Sequence, residues 1–257
     1  MRIHLLHLLP RALLLTALLA PAAPAFAATA TATLDTITLT LTDLDPTDGI
    51  APAIFLPDGG GGTNADAHVT TYTATSYQEA HDLRSAPGWL ANPYASAVVA
   101  GAEASATGGA SWIEVVLNIT GNSDAMASIQ TDTGGGLAAL MLSPRTALTI
   151  TGLGSIDLGL GALDGGNAGV WMLMQGDRTG RDDLNLGGGS SFQSRVLSMT
   201  AQNPTDANIF LTLAFGASAS LVSTVSTVPE PTTGALILAG LGIVVVRAAR
   251  RRRLHPA

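Results

Sequence analysis

Residues 33–42 read Thr33-Leu34-Asp35-Thr36-Ile37-Thr38-Leu39-Thr40-Leu41-Thr42, with Ile37, Leu39 and Leu41 on one face and Leu34 out of step. Such alternation marks a strand that buries one face. The same reading applies to residues 67–77, 95–104, 110–120, 125–131, 136–142, 146–156, 169–175, 191–200 and 208–219, giving about ten strands. Turn-forming runs separate them: Asp58 to Asn64 with four glycines, Gly108-Gly109, Gly121-Asn122-Ser123, Gly134 to Gly136, Asp164 to Asn167, Gly187 to Ser190 and Asn203-Pro204. Many short strands with that punctuation predict an all-β fold, an antiparallel β-sandwich of jelly-roll-like or immunoglobulin-like form. Helix is expected only as an N-terminal signal helix, a C-terminal transmembrane helix and one turn near Gln78 to Leu83.

The two ends depart from this pattern. Residues 1–27 carry Arg2 and Arg11, an apolar core over 12–20, and the small-residue sequence Ala25-Phe26-Ala27, the parts of a secretory signal peptide. Cleavage is expected after Ala27, so that the mature chain begins at Ala28, with Ala23 as the alternative site. At the other end Val228-Pro229-Glu230-Pro231 precedes an uncharged apolar segment, residues 232–246, and then Arg247, Arg250, Arg251, Arg252 and Arg253. The prolines keep their stretch extended and open to an enzyme. The arginines resist translocation, which keeps residues 247–257 on the cytoplasmic side. An ordinary membrane anchor is the competing reading. Against it, about 15 residues rise only ~22 Å as a helix, short of a ~30 Å hydrocarbon core.

This tail resembles that of the PEP-CTERM proteins, exported bacterial surface proteins named for the same order of Pro-Glu-Pro, short membrane helix and arginine cluster. The resemblance covers residues 228–253. It implies recognition by exosortase, a membrane enzyme that cuts near the Pro229-Glu230-Pro231 motif, and a transiently anchored precursor that ends at the cell surface or in the extracellular matrix. Weaker echoes of such ectodomains are Leu41 to Pro52, residues 142–151 and residues 208–215. The domain plan is therefore a signal peptide at 1–27, a β-sandwich ectodomain at 28–227 and a sorting tail at 228–257. Signal peptidase, exosortase and the membrane are the expected partners, and the family's usual company makes exopolysaccharide a further one.

Charge sharpens the picture. Seven of the 12 arginines lie in the two targeting segments and lysine is absent, so the ectodomain holds five arginines against 18 acidic residues, about −13. A phosphate-binding face needs clustered cations, so nucleic acid is disfavoured as a partner. With no cysteine, disulfides, thiol catalysis and thiolate-held metals are excluded.

Candidate chemistry is sparse. Asp43, Asp45 and Asp48 with Gly49 place three carboxylates on a tight segment, as calcium prefers. Yet the third acid is one residue late for an EF-hand loop, Pro46 stiffens the middle and no glutamate closes it. The other reading is a strand-ending turn in which Asp43 or Asp45 caps backbone amides, Pro46 starts the turn and Gly49 supplies the positive φ. Asp177, Arg178, Arg181, Asp182 and Asp183 read as a solvated loop, although a sugar-binding loop would also set carboxylates and arginines beside a tryptophan such as Trp171. Trp112 fits either an exposed sheet face, where it could stack on a sugar, or a core or hairpin-packing role. Only His68 and His81 remain in the mature domain, no serine sits in a G-x-S-x-G context, and Asp157 with Asp164 is the sole carboxylate pair considered for glycosidic cleavage. Asn118 begins a glycosylation-type tripeptide inside a strand-like run. The expectation is an exported protein without enzymatic activity and without an obligate cofactor.

Overall fold

A computed structural model describes residues 27–56, 61–89, 91–133, 140–161 and 164–224. The N-terminal signal helix and C-terminal membrane helix expected from the sequence lie outside these residues, as do Ala25 and residues 228–257. Residues Phe26–Val225 form one compact unit. No helix occurs among the described residues, and none there is long and apolar enough to cross a membrane.

Fourteen strands build the unit: β1 (Ala27–Asp43), β2 (Ile54–Phe55), β3 (Gly62–Tyr72), β4 (Tyr77–Pro87), β5 (Tyr94–Val99), β6 (Ala102–Gly108), β7 (Ile113–Thr120), β8 (Ser123–Asp132), β9 (Leu140–Leu142), β10 (Thr146–Gly159), β11 (Asp164–Gly176), β12 (Gly180–Gly187), β13 (Ser191–Asn203) and β14 (Ile209–Ser223). One sheet runs β13-β10-β1-β7-β6-β5 and the other β12-β11-β14-β8-β3-β4, all antiparallel, with β9 and β2 added beside β14. The two sheets pack face to face in matched order. Strand β1 meets β11 and β14, β7 meets β8 and β14, β6 meets β3, and the flanks β5–β4 and β13–β12 meet at the two edges. With this many strands the plan exceeds the seven- or nine-stranded immunoglobulin and eight-stranded jelly-roll layouts.

Alternation along each strand explains the core. Val115, Leu117 and Ile119 of β7, Leu148, Ile150 and Ile156 of β10, and Leu211, Leu213 and Phe215 of β14 are all buried between the sheets. Toward β5 and β6 the interior narrows to alanine: Ala95, Ala97, Ala104 and Ala106 face Ala65 and Ala67. In β10, Gly152 and Gly154 leave room for bulk from other strands, since a Cβ on Gly152 would stand 2.9 Å from Leu34 and one on Gly154 2.9 Å from Val170.

Leu34 being out of step has a structural answer. The pairing of β1 with β10 shifts register between Asp35 and Thr38. Within that bulge Thr36 adopts φ 53°, an unfavourable value for a β-branched residue, and its amide donates to Asp35 Oδ1 at 2.6 Å. The extra residue turns both Leu34 and Ile37 inward, so neither half of the strand exposes its apolar face.

Two expectations are overturned. The segment near Gln78 to Leu83 is not a helical turn but part of β4, paired residue for residue with β3 from Tyr72↔Tyr77 to Gly62↔Pro87. Cross-strand pairing overrides the helix propensity of Gln, Glu, Ala and Leu there. Nor is the charged stretch 177–183 a loop throughout, because Gly180 onward is strand β12.

Both open edges are closed in the same way. Asp82 on β4 reaches across to the opposite sheet, where its Oδ2 accepts the Ser96 amide of β5 at 3.1 Å, while Arg84 Nε pairs with Oδ1 at 2.8 Å. At the other edge Asp182 of β12 accepts the Ser198 amide of β13 at 2.8 Å and pairs with Arg195 at 2.7 Å. One edge amide on each side, that of Ser96 and that of Ser198, is thereby capped by an inward-turned carboxylate and withheld from a foreign strand. The Ser96 amide is the main influence lowering the Asp82 pKa. For Asp182 partial burial pushes the pKa up, but the Arg195 hydrogen bond and charge with the Ser198 amide together hold it below the ordinary carboxylate value. A carboxyl whose folded pKa lies below its unfolded one adds stability above the unfolded value, near pH 4, and loses it as the pH falls further. Asp182→Asn is accordingly expected to be less stable than wild type at pH 7 by about 1–2 kcal/mol. That gap should close in urea melts as the pH drops from about 4 towards 2. A gap independent of pH would show that the charge of Asp182 does not hold the edge.

Candidate functional site

At the end of the sandwich where β1 finishes, residues 43–50 form a run of side-chain-capped turns. Asp43 Oδ1 accepts the Asp45 amide at 2.9 Å, Asp45 Oδ1 accepts the Thr47 hydroxyl at 2.6 Å and amide at 3.2 Å, and Asp48 Oδ1 accepts the Ile50 amide at 2.6 Å. Gly49 supplies the positive φ, 74°, that lets the chain turn back. Each carboxylate serves its own backbone, and no group of three or more acidic or histidine side chains among the described residues is arranged to hold a metal. The Thr47 hydroxyl, followed by its amide, lowers the pKa of Asp45. The same end is tied together by Asn203, buried, whose Nδ2 donates to the carbonyls of Ser143 and Ala207, each at 2.8 Å. Arg145, at φ 50°, pairs with Asp206 at 2.6 Å.

The charged stretch proves structural. Asp177 Oδ2 accepts the Phe210 amide at 2.9 Å, Arg178 Nε donates to the Gln202 carbonyl at 3.2 Å, and Arg181 pairs with Asp183 at 3.1 Å. All five arginines of the ectodomain are thus engaged, four of them on aspartates and Arg178 on a carbonyl.

His68 and His81 stand opposite each other on the outer face of β3 and β4, their rings edge to face at 5.8 Å. Each bonds a diagonal carboxylate, His68 to Glu79 at 2.9 Å and His81 to Asp66 at 2.8 Å. Asp157 and Asp164 belong to different sheets, and Asp164 caps the Gly161 amide at 2.7 Å, so they do not present the paired geometry that glycosidic cleavage uses. Asn118 is exposed on β7.

The three tryptophans have three environments. Trp89 stacks on buried Phe215 at 5.8 Å and belongs to the core margin. Trp112 precedes β7 and lies over Gly109 in the turn, so the hairpin-packing reading holds and the sheet-face one does not. Trp171 stands on the outer face of β11, between Asp183 of β12 and Gly216 of β14. Sequence reasoning set it beside the charged stretch but had no signal for Gly216, which is 45 residues away and becomes its neighbour only through strand pairing.

At the chain ends, Ala27 begins β1 and pairs with Thr120, and Ser223 ends β14 opposite Ser123. Only Gly121 and Asn122 separate those partners, so both ends of the sandwich emerge together. Ala28, the expected first mature residue, is fully buried in the core. The cut expected beside it would therefore fall at a point that the folded sandwich covers.

Residues 227–253 match the family model of the PEP-CTERM protein-sorting motif. No match was found among curated proteins or solved structures. The chain thus carries a PEP-CTERM protein-sorting motif at its C-terminal end. Such a motif directs an exported protein to exosortase, with transient membrane anchoring before cleavage.

The turn geometry at Asp43, Asp45 and Asp48 leads to an expected outcome. Thermal melts should coincide in calcium and in chelator, and Asp45→Ala should lower the melting temperature equally in both. A calcium-dependent rise that Asp45→Ala abolishes would instead assign the loop to the metal.

Proposed function

We propose that the mature sandwich is a non-enzymatic surface or matrix protein that acts outside the cell in association with exopolysaccharide, after signal peptidase and exosortase have removed its two ends. The observation that carries this reading is the order of the tail: Pro229, Glu230 and Pro231, an uncharged run, then Arg247 and Arg250 to Arg253, within a segment that matches the sorting motif. The sandwich supports it in two ways. Its hydrogen-bonded edges suit a protein that must stay monodisperse at high local concentration. Its last strand ends at Ser223, and the six steps from there to Pro229 span no more than ~22 Å. The sorting enzyme must therefore cut close to the end from which both termini emerge.

Replacing Pro229, Glu230 and Pro231 with alanine leaves the apolar run and the arginines intact, so membrane insertion should persist. Fractionation with intact-mass measurement is expected to find the triple variant accumulating in the inner membrane with residues 247–257 attached, and the wild type released without them. Equal mass and equal location for the two proteins would reduce the tail to a plain anchor.

A further inference from the structure

The outer faces of the two sheets differ in what their polar groups are free to do. On the β13-β10-β1 face, hydroxyls pair off across strands: Thr38 with Thr151 at 2.7 Å, Thr149 with Thr200 at 3.1 Å and Ser155 with Ser194 at 3.0 Å. Those groups already satisfy one another. The opposite face carries Trp171, and its indole covers Gly216 of the neighbouring strand so closely that a Cβ there would meet three ring atoms, Nε1, Cε2 and Cζ2, at once. Near-equal approach of three ring atoms means that the ring lies flat on the sheet and turns its other face outward. Trp171 is half-buried, and among the described residues no other aromatic ring stacks on it.

The next strand completes the surface. Gln130 of β8 pairs with Gly216 on one side and with Asn64 of β3 on the other, and all three positions lie in one rung with Trp171. Gln130 and its neighbour Ser128 are exposed, and neither side chain bonds another described residue. Asn64 accepts the Ser85 hydroxyl at 2.7 Å through Oδ1, which leaves its amide NH2 available. On the far side of the ring the Asp183 carboxylate is taken up by Arg181 and Asn185 and so adds no free charge.

We propose that this rung is a saccharide-binding face, with Trp171 stacking on the apolar face of a pyranose ring, Gln130 and Ser128 bonding its hydroxyls and Asn64 those of the next sugar, and that its ligand is a neutral polysaccharide. A flat aromatic beside uncommitted amides matches a sugar, which has one apolar face and a rim of hydroxyls. Neutrality follows from charge, because a domain carrying five arginines, all engaged, against 18 acids repels an anionic polymer. The bed under the ring is equally specific: only glycine at 216 lets the indole lie down. This deepens the matrix reading by naming the surface through which it would operate, and it is tested on purified protein, independently of whether sorting occurs.

The test is native affinity electrophoresis of the protein purified from its exporting host, whether or not its tail has been removed, through gels containing dextran, laminarin, galactomannan or, as the acidic contrast, alginate. Wild type should be retarded by at least one neutral polymer and not by alginate alone. Trp171→Ala and Gly216→Val should weaken that retardation at least tenfold, Gln130→Ala by a smaller factor, and Trp171→Phe should retain part of it. Trp112→Ala, which removes a ring from the turn, should bind as wild type. Gln130→Ala, exposed and unbonded, keeps the proposal testable if the Trp171 variants fail to fold. No retardation by any neutral polymer, retardation by alginate only, or binding unchanged in Trp171→Ala and Gln130→Ala would overturn it.

Discussion

The first and last strands of the sandwich are also its central ones, and this constraint governs the rest of the molecule. Strand β1 is hydrogen-bonded on both sides, by β10 and β7, and β14 likewise by β11 and β8. They also face each other across the core. The sheet built on β1 needs the chain as far as Asn203 and the sheet built on β14 needs it as far as Ser223, so the sandwich completes only when nearly all of the ectodomain has been exported. The arginine cluster of the tail begins 24 residues further on, at Arg247. At the other end of the sandwich's chain, Ala28 is already fully buried in the core.

Without cysteine the sandwich depends on its core and on how it ends its sheets. The core is large at the centre, where leucine, isoleucine and Phe215 interlock, and thin towards β5 and β6, where alanine meets alanine. A thin flank contributes less hydrophobic stabilisation, since burial scales with apolar area. At that flank Asp82 binds the edge of the opposite sheet to its own. Asp182 does the same at the thicker flank. The acidic surplus is therefore partly architectural: aspartates also cap the turns at Asp43, Asp45, Asp48, Asp164 and Asp177.

Much of this was legible in the chain, for physical reasons that also mark where legibility stops. Alternation identified β1, β7, β8, β10, β13 and β14 because each has one wet and one dry face. It missed β12, whose Arg181, Asp182 and Asp183 carry no apolar alternation since an edge strand buries little and one of its carboxylates turns inward. The glycines of Asp164 to Asn167 read as a turn yet lie within β11, where Gly166 admits the Leu221 side chain. The sorting motif was readable because it is a linear sequence signal, and it matches over residues 227–253. The rung of Trp171, Gly216, Gln130 and Asn64 was not, because its members come from four strands and meet only through register.

Central placement of the two terminal strands has a direct signature in amide hydrogen exchange, where protection follows the free energy of the opening that frees each amide. In the purified exported protein, amides of β1 around Ala30 to Leu34 and of β14 around Leu213 to Leu221 should exchange slowest, only through global unfolding. Those of β4, β5, β12 and β13 should exchange sooner, by local opening at the edges. Terminal strands that exchange as fast as the edges would contradict the account, because they would then be appended to the sandwich and not its centre.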